Sequence, residues 1–76
     1  MLERLLGKYV IIEYHYQKVL DGIDGICTGL IDEEKSYKFI EVFNEERGFY
    51  YLINTDNIDC IGYRDNKEGK EYEICK

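Results

Sequence analysis

The apolar residues at the start of the chain change their spacing near Gly7, from a helical pattern to a strand-like one. Leu2, Leu5 and Leu6 stand at helical spacing, and Gly7 follows at a position where a helix can end. A helix this short is unstable in water on its own. We therefore expect it to lie over one end of a sheet, with its leucines docked there.

From Tyr9 onward the apolar residues recur every second position, which is typical of a half-buried strand. The positions that share one face are Val10, Ile12, Tyr14 and Tyr16. Two Asp-Gly steps then fall between Leu20 and Gly25, and such steps commonly form tight turns. We predict a loop or hairpin at that point.

The rest of the chain consists of short apolar or alternating segments separated by polar turns. The predicted strands are 23–32, 37–44, 49–53 and 58–63, with 70–74 as a candidate sixth strand. Short turns without a second helix predict an all-β fold with a short N-terminal helix, built as a small five- to six-stranded bent-sheet barrel of the SH3-like kind. We assign residues 1–63 to this barrel domain and 64–76 to a charged C-terminal tail.

The charge balance narrows the classes of partner. The chain has 76 residues, 45% of them hydrophobic, which suits one small folded domain. Its formal net charge is −6, and a field of that sign repels phosphate at long range. Non-specific nucleic-acid binding is therefore disfavoured, whereas a protein partner or a second copy of the chain is compatible with this surface.

The cysteines and the lengths of the apolar runs are the features that predict where in the cell the protein is found. Cys27, Cys60 and Cys75 are odd in number and lack the spacing of a zinc knuckle or a redox motif. Cys27 and Cys60 lie in apolar runs, so we expect reduced thiols in a core. The chain start is too short and too charged for a secretory signal, and no apolar run has transmembrane length. These features predict a cytoplasmic protein that does not enter a membrane.

Candidate catalytic and metal-binding groups are sparse. His15 is the single histidine, and the sequence places no nucleophilic side chain beside it. The acidic residues at 32–34 and at 45–46 fall in predicted turns, where carboxylates are usually just hydrated. We therefore expect a protein that is not an enzyme and that has no cofactor and no metal.

Three segments carry a resemblance to a known family. They are Leu5–Glu13 at the helix and first strand, Thr28–Asp32 at the end of the second strand, and Leu52–Ile61 around the last turn. In their order and spacing these segments resemble the Sm-like family of small β-barrels. The resemblance implies a ring of protomers in which the fourth strand of one barrel pairs with the fifth strand of the next. It also implies an RNA pocket facing the pore of the ring.

The fourth predicted strand also favours self-association on physical grounds. Phe49–Ile53 is an unbroken apolar run, and only alternate residues of a strand can face one core. The predicted interface residues are Phe49, Tyr50, Tyr51, Leu52, Ile53, Ile58 and Cys60. The alternative is that the helix or the tail of the same chain covers these side chains.

The RNA pocket implied by the resemblance would use Tyr37, Asn54, Asp56 and Asn57. Where the family has an Arg-Gly pair in the last turn, this chain has Asn54-Thr55, so the cationic stacking group is absent. The same turn residues also suit a purely structural role, since Asn and Asp side chains accept hydrogen bonds from nearby backbone. Two functions stay open: a non-enzymatic homo-oligomeric assembly module, and an Sm-like RNA-binding protein.

Overall fold

The computed structural model describes residues 2–33, 36–65 and 69–75 and confirms an all-β fold with a short N-terminal helix. The strands are β1 (Tyr9–Tyr16), β2 (Val19–Glu33), β3 (Ser36–Asn44), β4 (Phe49–Asn54), β5 (Ile58–Arg64) and β6 (Glu71–Cys75). A 3-10 helix at Leu2–Leu5 precedes β1, and a second at Thr55–Asn57, the turn helix, joins β4 to β5. The candidate sixth strand is thereby confirmed as β6.

The six strands form one antiparallel sheet in the order β4-β3-β2-β1-β5-β6. In a flat sheet of this order β4 and β5 would lie about 19 Å apart, since neighbouring strands are spaced about 4.8 Å apart. The chain joins them through Thr55–Asn57, and a 3-10 helix rises about 2 Å per residue. So short a connection requires the sheet to curl until the two strands approach each other.

The core lies inside this curl. Its buried side chains come from both halves of the sheet and form a single cluster: Leu5, Val10, Ile12, Cys27, Ile40, Val42, Ile53, Ile58 and Ile61. Leu5 of the N-terminal helix is fully buried, while Leu6 remains largely exposed, and Gly7 ends the helix with φ of 79°. Leu5 and Leu2 of the helix therefore dock on the core as predicted, whereas Leu6 does not.

The sheet is bent, as predicted, and over the described residues it is not closed into a complete barrel. Over the described residues β4 pairs with β3 and β6 pairs with β5, and these outermost strands do not pair with each other. Residues 71–75 of the predicted tail continue the same sheet.

The predicted turns at 32–36 and 64–69 fall partly on residues 34–35 and 66–68, outside the described residues. Neither helix of the described chain has the length and apolar character needed to cross a bilayer.

The first hairpin differs from the sequence prediction. The turn is made by Gln17 and Lys18, whose φ angles are 50° and 68°, and not by the two Asp-Gly steps that follow. A two-residue turn with both residues at positive φ matches the twist of the flanking strands. Asp21–Gly25 therefore lies within β2, where Gly22 pairs with Glu13 and Gly25 with Val10.

Gly25 is required by a close backbone approach. A Cβ atom at this position would lie 2.1 Å from the carbonyl oxygen of Phe43 and 2.9 Å from a methyl group of Val42. The glycine therefore lets β2 pass directly against the end of β3, where the sheet curls. This role explains a glycine that the sequence pattern counted as part of a turn signal, although it also lies in the predicted strand 23–32.

Replacing Gly25 with alanine should destabilise the fold by about 3 kcal/mol, because the new methyl group must displace backbone atoms. The matched control is Gly48→Ala, at φ of 72° with open space around it, which should cost about 1 kcal/mol. Urea denaturation followed by far-ultraviolet circular dichroism measures both. Equal losses for the two variants would contradict the close approach at Gly25.

Candidate interaction surfaces

The first candidate surface is the free edge of β4, which we call the β4 edge. It consists of the outer backbone groups of Phe49–Asn54 together with the side chains of Phe49, Tyr50 and Leu52. Tyr50 is 63% exposed and Leu52 is 56% exposed. Large apolar side chains beside unpaired strand N–H and C=O groups make this edge suited to pairing with another strand.

The apolar character of the β4 edge continues onto β3. The rings of Tyr50 and Phe43 pack with their centroids 4.8 Å apart, and Phe43 is the cross-strand partner of Tyr50. Leu52 lies opposite Glu41, and the Glu41 carboxylate accepts a hydrogen bond of 2.8 Å from the Thr28 hydroxyl. The exposed face beside the edge is thus apolar at Tyr50 and Phe43 and polar at Glu41.

The structure separates the predicted interface residues into two groups. Phe49, Tyr50 and Leu52 are exposed, as a contact surface requires. Ile53 and Ile58 are only 6% and 5% exposed because alternation along their strands turns them into the core of their own chain. Tyr51 is half-buried against the same core, so these three side chains have little surface left for a partner.

Cys60 lies on β5, which is not an edge strand in this chain because β6 pairs with it. The pairing runs from Cys60 opposite Cys75 to Arg64 opposite Glu71. Cys60 and Cys75 are joined by a disulfide, so the expectation of reduced thiols is wrong for this pair. Cys27 is the buried free cysteine that the apolar pattern predicts, and burial raises the pKa of its thiol.

The strand β6 is attached mainly through its pairing with β5. The rings of Tyr63 and Tyr72 stack with centroids 5.4 Å apart, and an Arg64 guanidinium nitrogen lies 3.8 Å from a Glu71 oxygen. Ile74 is half-buried and helps line an apolar groove of about 180 Å³. The rest of this groove is lined by Leu2, Ile40, Thr55, Ile58, Asp59, Ile61 and Cys75.

The second candidate surface is the turn cluster, formed by Tyr37, Lys38 and the residues Asn54–Asn57. Asn54 caps the turn helix, since its side-chain oxygen accepts a 2.9 Å hydrogen bond from the backbone N–H of Asp56. The Thr55 hydroxyl donates a 2.8 Å hydrogen bond to the carbonyl oxygen of Tyr37. The structure therefore brings the start of β3 and the last turn together, as an RNA pocket would require.

Several polar groups of the turn cluster already have partners in the chain. The Lys38 ammonium lies 3.4 Å from an Asp56 carboxylate oxygen. The Tyr37 hydroxyl donates a 2.8 Å hydrogen bond to Glu3, and this bond raises the pKa of the Tyr37 phenol. The capping role of Asn54 is the structural role that the turn chemistry of the sequence predicts.

Two further groupings were missed by the sequence patterns. His15 of β1 contacts the carboxylate of Asp59 through its Nδ1 atom, across the irregular pairing of β1 with β5. Cys60, Glu73 and Cys75 place their sulfur and carboxylate atoms within 4.8 Å of one another, and such atoms are possible metal ligands. Both groupings depend on strand register, which spacing along the sequence does not reveal.

Replacing Asn54 with alanine should destabilise the protein by about 1 kcal/mol, because the N–H of Asp56 loses its acceptor. The matched control is Asn54→Asp, which keeps an acceptor oxygen at the cap and should stay close to the parent stability. Urea denaturation of the three proteins at neutral pH measures the effect. An alanine variant as stable as the parent would show that the cap is unimportant.

Comparisons of the chain with models of known protein families, with curated proteins and with solved structures gave no match. The features of the chain that bear on its function are the β4 edge, the turn cluster, and the groups that join β5 to β6.

Proposed function

We propose that the protein is a non-enzymatic assembly module that forms homo-oligomers through the β4 edge. The observation that carries this proposal is the combination of unpaired strand backbone with the exposed side chains of Phe49, Tyr50 and Leu52. Burying one large apolar side chain contributes about 1.5–3 kcal/mol. A few such side chains, added to new strand hydrogen bonds, supply a favourable contact between copies.

Charge distribution supports contact at this edge. The chain carries a net charge of −6, so two copies repel each other at long range. Phe49–Asn54 contains no charged residue, so a contact made there brings no like charges into direct apposition. Association should therefore strengthen with added salt, which screens the general repulsion and leaves apolar burial in place.

We also propose that the assembly is cytoplasmic. An Sm-like arrangement of protomers is one form that the assembly could take. Cytoplasmic thiol systems keep most cysteines reduced. In that compartment the Cys60–Cys75 disulfide would be exposed to reduction.

Replacing Leu52 with lysine should lower the mass of the assembly towards that of a monomer, because a charge enters the contact. The matched control is Leu20→Lys, which changes an equally exposed leucine, at 62%, on the internal strand β2. Light scattering coupled to size-exclusion chromatography, at tens of micromolar protein, measures both variants beside the parent chain. A monomeric parent, or equal effects of the two substitutions, would contradict the proposal.

A second candidate function is the binding of single-stranded RNA at the turn cluster. The observation that favours it is the gathering of Tyr37, Lys38 and the turn helix at one place. An aromatic ring beside a lysine is a common platform on which a base stacks. The net negative charge and the internal partners of these side chains act against tight binding.

If RNA binds there, Tyr37→Ala should weaken the affinity by about tenfold or more, since base stacking contributes about 1–3 kcal/mol. The matched control is Tyr16→Ala, which removes an exposed tyrosine at the far end of β1 and should leave the affinity unchanged. Fluorescence anisotropy with uridine-rich and adenine-rich oligonucleotides at about 50 mM salt measures this. No binding by the parent chain at that salt would exclude this function.

A further inference from the structure

Three metal-ligand side chains converge where β5 meets β6. Cys60 and Cys75 are directly opposite each other in the strand pairing, and Glu73 stands two residues before Cys75, on the same face of β6. The two sulfur atoms and a Glu73 carboxylate oxygen all lie within 4.8 Å of one another. This group belongs neither to the β4 edge nor to the turn cluster.

The separation of the Cys75 sulfur from the Glu73 carboxylate fits tetrahedral coordination, whereas the two sulfur atoms, bonded to each other in the disulfide, would have to move to about 3.8 Å apart after reduction. With metal–sulfur bonds of about 2.3 Å and metal–oxygen bonds of about 2.1 Å, tetrahedral angles place sulfur and oxygen about 3.6 Å apart. The Cys75 sulfur lies 3.6 Å from Glu73 Oε1. The residue opposite Glu73 is Gly62, which has no side chain of its own, and the Glu71 carboxylate lies over this glycine.

We propose that Cys60, Glu73 and Cys75 form a binding site for a zinc-class divalent cation whenever the disulfide between the two cysteines is reduced. A dithiol reductant supplies two electrons and two protons, the sulfur–sulfur bond breaks, and the reductant becomes a disulfide. The cation then displaces the two thiol protons and is held by two thiolates and the Glu73 carboxylate. A water molecule completes the tetrahedron.

The surroundings favour a cation at this place. Glu13 on β1 is the cross-strand neighbour of Cys60 on the side away from β6, so a further carboxylate adjoins the site. Two thiolates and a carboxylate in a chain of net charge −6 form a locally anionic site, which a divalent cation neutralises. The bound cation would also link β5 to β6 in place of the disulfide.

The test uses the full chain, reduced with a phosphine that is not a competing thiol, and Co²⁺ as a coloured substitute for zinc. Titration should produce sulfur-to-cobalt charge-transfer absorption and intense tetrahedral visible bands, with one metal per chain by native mass spectrometry. The oxidised chain, folded as described above, should give neither signal until reductant is added.

Substitutions of single residues and of the cysteine pair test which side chains bind the metal. The double variant Cys60→Ser/Cys75→Ser, which keeps the buried Cys27, should lose the charge-transfer band. Glu73→Gln should weaken Co²⁺ affinity by about tenfold or more. Glu71→Gln is the matched control on the same strand, where the carboxylate lies beside Arg64, and it should leave the affinity unchanged.

Three results would overturn the site. They are no charge-transfer band in the reduced parent chain, a band that survives in the double serine variant, and one metal shared by two chains. The proposal does not depend on self-association, because its ligands lie at the opposite end of the sheet order from β4. Loss of assembly in the Leu52 variant therefore leaves this test interpretable.

Discussion

The fold depends on a connection that is short for the distance it must cover. The turn helix at Thr55–Asn57 joins strands that lie four places apart in the sheet, and this is possible because the sheet curls back on itself. The curl brings Ile53 of β4 and Ile58 of β5 into one core cluster. In a chain this short, such a shared core is the means by which a single sheet buries both of its halves.

The same curl fixes the position of the exposed surfaces. Among the residues that the structure describes, the turn helix bridges β4 and β5 without strand pairing between them, so β4 keeps a free edge there and β5 is covered by β6. The capping bond to Asn54 holds the turn helix together, and the hydroxyl bond from Thr55 ties it to the start of β3. Residues that resemble a ligand pocket in sequence are thus also the ones that hold the curl in place.

The strands could be predicted from the sequence because the alternation of apolar and polar residues is a local pattern. Contacts that depend on how two distant strands are paired could not be predicted. The alternation around Val10 and Ile12 can be seen within one segment of the chain, and so can the polar turn before Gly48. The first hairpin was misplaced because Gln17 and Lys18 are not typical positive-φ residues, while Gly25 serves a contact with a strand far along the chain. The Cys60–Cys75 pair was missed for the same reason, since it exists only once β6 pairs with β5 in one register.

The two outer edges of the sheet differ in what prevents further pairing. The strand β6 presents Glu71 and Glu73, and exposed carboxylates on an edge repel an acidic partner strand. The strand β4 has no such protection. In the assembly proposed above, a contact that joins β4 to β4 across a twofold axis would use both unprotected edges and would end growth at a dimer. A ring of protomers requires a second unprotected edge, and β5 provides one only when β6 is displaced. Because β6 is held on β5 by strand pairing and by the Cys60–Cys75 disulfide, a ring built through β5 would require both attachments to be broken first.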